Sequence, residues 1–388
     1  MSFQELDRQY VAGTYNRFPV EIVSGQGSVL TDVNGKEYID MGSGIAVTSF
    51  GIGDEAWKQA VTEQLGKVQH TSNLYYTEPC ALLAQLLCEK TGMKKVFFSN
   101  SGAEANECAI KVARKYAAET KGADCYTVVT LQNSFHGRTL TTLSATGQDH
   151  YHELFQPLTP GFESFPAGDI AALKAICAKT KVAAVLIECV QGEGGVIPLE
   201  KGFAAELSEY LKAEDILLMV DEVQTGNGRS GSLYAYMEYG LQPDVVSTAK
   251  GLAGGLPLGA TLLSEKVQNV LGFGDHGSTF GGNPVCCAGA LSILRRLDDS
   301  FLREVKAKSE YLFRELNGME GVESVSGLGL MIGIKTKKPA GDVVKKGIEN
   351  GVLCLTAKDK VRLLPALNIP MELLQEAVAR IRKSIAEA

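Results

Sequence analysis

The sequence predicts an α/β fold: a mostly parallel central sheet with helices on both faces, joined to a smaller α+β part. Three observations carry this. Short apolar runs alternate with stretches of helical periodicity over about 150 residues, the pattern of a parallel sheet wound with helices. Runs such as Ile216–Val220 are apolar throughout, as strands buried on both faces are. The first fifty residues and the last ninety or so depart from that rhythm, which predicts an N-terminal segment (1–50) contributing to a small domain, a large domain (51–297) and a C-terminal small domain (298–388).

Residues 1 to about 50 read as short strands and turns. VEIVSGQGSVLTDVNGKEYIDM alternates, with turns at Gly25–Gly27 and Asn34-Gly35, and Asn-Gly between two such runs is a strong hairpin signal. The aromatic stretch TYNRFPV before it, Thr14 to Val20, is either a surface arm or the wall of a pocket. Helical spacing begins at Glu55 and runs to Val68. A second helix spans Glu78–Thr91, with Pro79 in its first turn.

Val96–Ser99 is a strand, Ser101-Gly102-Ala103 a small-residue turn, and a helix follows with apolar positions at Ala109, Ile110, Val112, Ala113 and Tyr116. Glu104 and Glu107 fall in its expected first turn, where the dipole favours them. A strand, a tight turn and a helix N-terminus offer free backbone N–H groups to an anion, or else make only a well-capped helix. Tyr126–Leu131 is the next strand. It delivers QNSFHGRT, which places Asn133, Phe135, His136 and Arg138 close together. Phe135 there could stack on a flat ring or pack in the core; Arg138 could grip a carboxylate or be a surface charge.

Ile170–Thr180 is a helix, and VAAVLIE a strand ending at Glu188. QGEGGVIP follows, with Glu193 in a glycine-rich loop, and then a helix over Gly202–Lys212. The strand Ile216–Val220 ends on Asp221, and the short run Asp244–Ser247 ends just before Lys250. HGSTFGGNP precedes a helix at Pro284–Leu297. From about Leu302 the chain has two helical stretches and a GLGLMIG turn. The glycine spacing there is wrong for a dinucleotide fingerprint, and no long helix follows.

Ligands of open α/β sheets sit at the carboxyl ends of the strands, so Asp221 and Lys250 are both placed against one. Gly251 to Pro257 would let backbone approach it closely. A deprotonated lysine is a nucleophile toward an aldehyde. Pyridoxal phosphate carries such an aldehyde, and a carboxylate beside its ring nitrogen keeps that nitrogen protonated. On these two residues alone, a salt bridge across two strand ends is an equal alternative.

Composition is that of an ordinary globular chain with a mild acidic excess, net −7, which points away from nucleic acid and anionic membrane surfaces. No apolar run is long enough to span a bilayer, and MSFQELDRQY is no signal peptide. Nine cysteines, an odd number without CxxC pairs, read as reduced thiols of a cytoplasmic protein. Five histidines without HxxxH spacing predict no metal site.

SNSGAEANE, SFHGRT, ECVQGEGG, DEVQTGNGR, the lysine of STAKGLAGG, and GSTFGGNP occur in one order. Together they resemble the class III, or ornithine-type, aminotransferases, which have the fold type I architecture of pyridoxal phosphate enzymes. The resemblance runs from TYNRFPV to VRLLPAL, and within the family GSGIAVTSFG and the short length are most similar to the acetylornithine type. It implies pyridoxal 5'-phosphate as cofactor, with Lys250 bonded to the aldehyde carbon and then shuttling the proton, Asp221 on the ring nitrogen and Gln224 on the phenolic oxygen. It implies a phosphate held by Ser101, Gly102 and Ala103, and Phe135 stacked on the ring. Arg138 would hold a substrate carboxylate, helped by Asn133, and Tyr15 would touch the far end of the amino donor. Ser278 would also meet the substrate. Thr279 would reach the phosphate of the neighbouring subunit, making the active unit a homodimer with shared sites. Glu193 would pair with Arg362 while one donor is bound and release it for the other. The family's usual Glu-Pro is here Glu188-Cys189, which loosens the backbone expectation there.

The activity implied is transfer of the terminal amine of N2-acetylornithine, or a close analogue, to 2-oxoglutarate, giving a semialdehyde and glutamate as in arginine biosynthesis. Ornithine and succinylornithine share the reacting amine. A same-fold aminomutase would need no 2-oxoglutarate, and a carboxylate-gripping Arg138 argues against it. A regulatory domain that binds the cofactor would need a DNA-binding module, and no basic segment supplies one.

Overall fold

The computed structural model describes residues 2–388. Its central sheet has seven strands in the order Lys95–Ser99, Gly259–Leu263, Val245–Thr248, Leu217–Asp221, Val182–Ile187, Thr127–Leu131 and Phe162–Phe165. All run parallel except Gly259–Leu263, which is antiparallel to both neighbours. Side chains of alternate parity leave opposite faces of each strand. Val129, Val185, Ile187, Leu218, Val220 and Val246 pack with Phe203, Leu207 and Leu211 of the helix Lys201–Ala213. Val128, Ala184, Leu186, Leu217, Met219 and Val245 pack with Cys108, Ala109 and Val112 of the helix Gly102–Lys121. Both faces are therefore dry, which is why these strands read as unbroken apolar runs.

The N-terminal meander Ile22–Gln26, Val29–Asp32 and Glu37–Asp40 is antiparallel. Gly35, at φ 78°, closes its second turn, and the Asp32 carboxylate accepts the N–H groups of Asn34 and Lys36. Its last strand pairs with Val352–Leu353, from the other end of the chain. A further antiparallel sheet joins Val322–Leu328, Met331–Thr336, Lys360–Leu363 and Leu355–Ala357. GLGLMIG is the hairpin between its first two strands. A Cβ on Gly329 would lie 2.3 Å from the Arg229 carbonyl, so only glycine fits there.

Three expectations need correction. Residues 3–10 form a helix rather than strands or turns. Ser2 and Glu5 close a reciprocal capping box on it, a signal present in the sequence as S-x-x-E. The C-terminal part has three helices, Asp299–Leu316, Ala340–Glu349 and Met371–Glu387, not two. The helix after Ser101 starts at Gly102, so Glu107 lies in its second turn. There its carboxylate accepts the Thr139 hydroxyl. One feature gave no sequence signal: Ser43, Gly44, Ile45 and Ala46 all have φ between 47° and 65°, a left-handed turn that is costly for a β-branched residue. It packs against the segment after Lys250, where the Ser49 hydroxyl donates to the Gly251 carbonyl at 3.2 Å.

Candidate active site

Parallel strands end together, and their carboxyl ends bring Ser101, Phe135, Glu188, Asp221 and Lys250 around one cavity of about 370 Å³. Ser101 caps the helix Gly102–Lys121, its hydroxyl accepting the Glu104 N–H at 3.2 Å. The N–H groups of Gly102 and Ala103, in the first turn, have no intrahelical acceptor and line the cavity. A Cβ on Gly102 would sit 2.6 Å from Val223, so the helix end approaches the strand end only as glycine. This is an anion seat made of backbone.

Asp221 is 5% exposed and accepts three hydrogen bonds, which leaves acceptor capacity on Oδ1. Its Oδ2 accepts Asn106 Nδ2 at 2.7 Å and His136 Nδ1 at 2.8 Å, and its Oδ1 accepts the Val223 N–H at 3.0 Å. A carboxylate only accepts, so His136 carries its proton on Nδ1. Asn106 Oδ1 in turn accepts the Ser247 hydroxyl. His136 Nε2 is buried without a partner. His136 and Asn106 lie in the sequence motifs, but their part in fixing Asp221 was not readable, because it depends on which strand ends meet.

Lys250 follows the strand Val245–Thr248 at φ 43° and lines the same cavity. Burial pulls its amine below the ordinary lysine range. The nearby Arg362 adds to this, while Glu193, Asp221 and Glu188 oppose it. A shift in this direction favours the free amine that attack on an aldehyde requires.

Glu193 and Arg362 meet. Arg362, 3% exposed, donates to Glu193 Oε1 at 2.5 Å and to Gln224 Oε1 at 3.2 Å, and Gln224 Nε2 donates to Glu193 at 3.3 Å. Burial pushes the Glu193 carboxyl up, but the Arg362 charge and hydrogen bond outweigh it and hold it below its usual value. Arg362 Nε has no partner.

Arg138 lies 4.4 Å from the Tyr151 ring centre and 5.6 Å from that of Phe135. Tyr151, which carries this guanidinium, was missed from sequence. Asn133, at φ 65°, accepts the Lys358 ammonium at 2.5 Å, and Lys358 was also missed. Glu193 and Arg362 join this cavity only through Gln224, and Asn133 stands off it with Lys358; three further expected residues are placed elsewhere by the chain's own fold. Ser278 is one step away, its hydroxyl accepting Asn100 Nδ2 at 3.1 Å. Thr279 lines a separate hollow with His70, Tyr75, Tyr76 and Asn283. Tyr15 is 73% exposed in a third hollow beside Arg17.

The donor set suits one kind of molecule. The helix end takes an anion, Asp221 takes a protonated ring nitrogen, Phe135 offers a face, and Lys250 offers an amine to an electrophilic carbon. These are the groups of pyridoxal phosphate, and the residues present fit it.

The model of "Aminotransferase class-III" matches residues 10–385. An acetylornithine aminotransferase of Haemophilus ducreyi is 48% identical over 99% of this chain and 98% of its own length. Another from Methanocaldococcus jannaschii is 42% identical over 95% and 94%. Among solved structures, the ornithine aminotransferase of Toxoplasma gondii superposes with a TM-score of 0.94 at 34% identity, over 99% of this chain and 94% of that one. The N-acetylornithine aminotransferase of Stenotrophomonas maltophilia does so with a TM-score of 0.85 at 35% identity, over 99% and 98%. With its Lys250 and Asp221 at adjacent strand ends, and matched over nearly its whole length, the chain belongs to the class III aminotransferases.

Proposed function

We propose that this chain transfers the terminal amine of N2-acetylornithine to 2-oxoglutarate through pyridoxal phosphate. The observation that carries the reading is the Glu193–Arg362 pair at 2.5 Å, in contact with Gln224 of the cavity that holds Lys250. A transaminase of this kind must accept glutamate, with a carboxylate at the reacting carbon, and a donor with only methylenes there. A buried arginine left unpaired against the second donor is costly, and a removable acid relieves it.

Bound pyridoxal phosphate supplies the aldehyde that receives the amine and the electron-poor ring that stabilises the carbanion. The chain's residues do the rest. Asp221 holds a proton at the ring nitrogen, and His136 and Asn106 hold Asp221. Gly102 and Ala103 N–H groups and the Ser101 hydroxyl hold the phosphate, and Phe135 covers the ring. Gln224 would meet the phenolic oxygen. Lys250 would anchor the cofactor through its Nζ and, as a free amine, would take up and return a proton. Arg138 takes the outer carboxylate with Asn133 beside it. Arg362 takes the α-carboxylate of glutamate after Glu193 moves away.

The same reading extends to assembly and place. We propose a homodimer in which Thr279 reaches the partner's phosphate and Ser278 and Tyr15 meet substrate at the shared site. The exposed Tyr75, Tyr76, Phe273 and Phe280 support such an interface. We propose division near residues 50 and 297, and a cytoplasmic location, for which the nine free thiols speak. No helix among the described residues is long and apolar enough to cross a membrane.

A panel of acetylornithine, ornithine and succinylornithine, each with 2-oxoglutarate, tests the donor. The highest kcat/KM should belong to acetylornithine. Glutamate formation from none of the three overturns the reading.

A further inference from the structure

We propose that Asn227 and Ser49 are positioning residues that pin the backbone on either side of Lys250 and so aim its amine at the aldehyde carbon of the cofactor. The inference rests on the anchoring role given above to Lys250.

Lys250 sits at φ 43°, in the left-handed region, which a residue with a Cβ occupies only where its surroundings impose it. Two hydrogen bonds flank it here. Before Lys250, the Ala249 carbonyl accepts Asn227 Nδ2 at 3.1 Å, which fixes the peptide entering the lysine. After it, the Gly251 carbonyl accepts the Ser49 hydroxyl at 3.2 Å.

Both pins come from outside the strand Val245–Thr248 that delivers Lys250. Asn227 lies on the loop that follows Asp221, and its Nδ2 also donates to the Thr248 hydroxyl oxygen at 3.0 Å. Ser49 follows the left-handed turn Ser43–Ala46, and its own carbonyl accepts the Leu367 N–H at 2.8 Å. Both side chains are buried. They close on Gly251 from two sides: a Cβ there would lie 2.5 Å from Ser49 Oγ and 3.4 Å from Asn227 Cβ.

Packing alone does not account for an asparagine at 227. Its Oδ1 is buried with no partner among the described residues, a cost that an apolar side chain of similar size avoids. Turning the amide over would set that oxygen against the Ala249 carbonyl, so the position uses the donor. Asn227 is itself at φ 56°, where asparagine is among the better tolerated side chains.

The pins matter most while Lys250 is free. Once Nζ is joined to the aldehyde carbon, with the aldehyde oxygen lost as water, the side chain is tethered at both ends. Before that, only the backbone aims it. An unpinned Lys250 relaxes toward negative φ, which swings its Cβ about the N–Cα bond and away from the cavity it lines. Bond formation then weakens, while the seats for the phosphate and the ring stay as they were.

The test uses the full chain freed of cofactor, its fold checked by circular dichroism, and compares two ligands by equilibrium dialysis. Pyridoxal 5'-phosphate can bond to Lys250. Pyridoxine 5'-phosphate carries an alcohol in place of the aldehyde and can use only the phosphate and ring seats. The ratio of the two Kd values therefore isolates the bond to Lys250. The variants are Ser49→Ala and Asn227→Gly, the second chosen because glycine accepts φ 56° without strain. In each, the preference for the aldehyde should fall roughly fivefold, the scale of one hydrogen bond. A residue that only stabilises the fold weakens both ligands alike. A ratio unchanged from wild type in either folded variant overturns the proposal; if Asn227→Gly does not fold, Ser49→Ala decides. Failure of the anchoring role looks different: wild type itself then binds the aldehyde no more tightly than the alcohol.

Discussion

The two ends of the cavity are built on different principles. At the cofactor end, Asp221 is held by three donors from three elements, and its partner Asn106 is itself held by Ser247. Each of these groups sits on or beside a strand end or in a helix, and the side chains of Asp221, Asn106, His136 and Ser247 are buried. At the substrate end, Arg362 comes from the C-terminal sheet and Glu193 from a loop with glycine on both sides. Glu193 keeps a side-chain exposure of 27%. Lys358 and Asn133 meet there between exposed side chains. On the proposed function, the rigid end would serve chemistry common to both half-reactions and the looser end the two substrates that differ.

That contrast makes separable predictions. The largest effect belongs to Asp221→Asn. It keeps the shape but turns one acceptor oxygen into an NH2 donor and removes the charge that holds the ring proton, so both half-reactions should slow together, by ~10² or more, the scale of a lost acid–base partner. Single-turnover absorbance measures each. Slowing of one alone would place Asp221 at the wrong end.

Glu193→Ala should act on one half only. With Arg362 permanently open, the acetylornithine half-reaction should slow about tenfold, equivalent to ~1.4 kcal/mol, while the glutamate half-reaction persists or quickens. The same absorbance experiment reads it, and equal slowing of both would remove the distinction between the two ends.

The smallest effect is on stability. Glu222 is fully buried beside Asp221, its carboxyl accepting the Thr225 hydroxyl and the Tyr236 N–H. Burial raises it from 4.5 to about 7 despite those bonds. The folded state thus prefers the protonated acid. Its contribution is full below about pH 4.5 and is lost as pH rises through about 7. Glu222→Gln cannot ionise, so the Tm of wild type should fall relative to this variant by a few degrees between pH 6 and 8.5. A constant gap would show that Glu222 does not titrate there.

The rigid end was the more legible in sequence. Asp221 and Lys250 closed apolar runs, Ser101-Gly102-Ala103 lay between a strand and a helix, and strand ends gather ligands by topology alone. The partners that tune them were not legible. His136, Asn106 and Glu188 reach Asp221 or its neighbours through strand order, with Asn106 in the helix Gly102–Lys121 and Asp221 two strands from the strand that delivers His136. The Glu193–Arg362 contact came from family resemblance, since it joins residues 169 positions apart across two sheets. Tyr151 and Lys358 act through loop packing, for which local sequence has no period. The left-handed turn at Ser43–Ala46 defied propensity outright, because Ile45 is a residue that disfavours positive φ.

The central claim is that Lys250, released at a strand end beside Asp221, is the covalent anchor of the cofactor. Borohydride reduction of the holoenzyme followed by peptide mapping tests it directly. The cofactor mass should be found on Lys250 alone. A label on any other lysine, with Lys250 unmodified, would contradict the account.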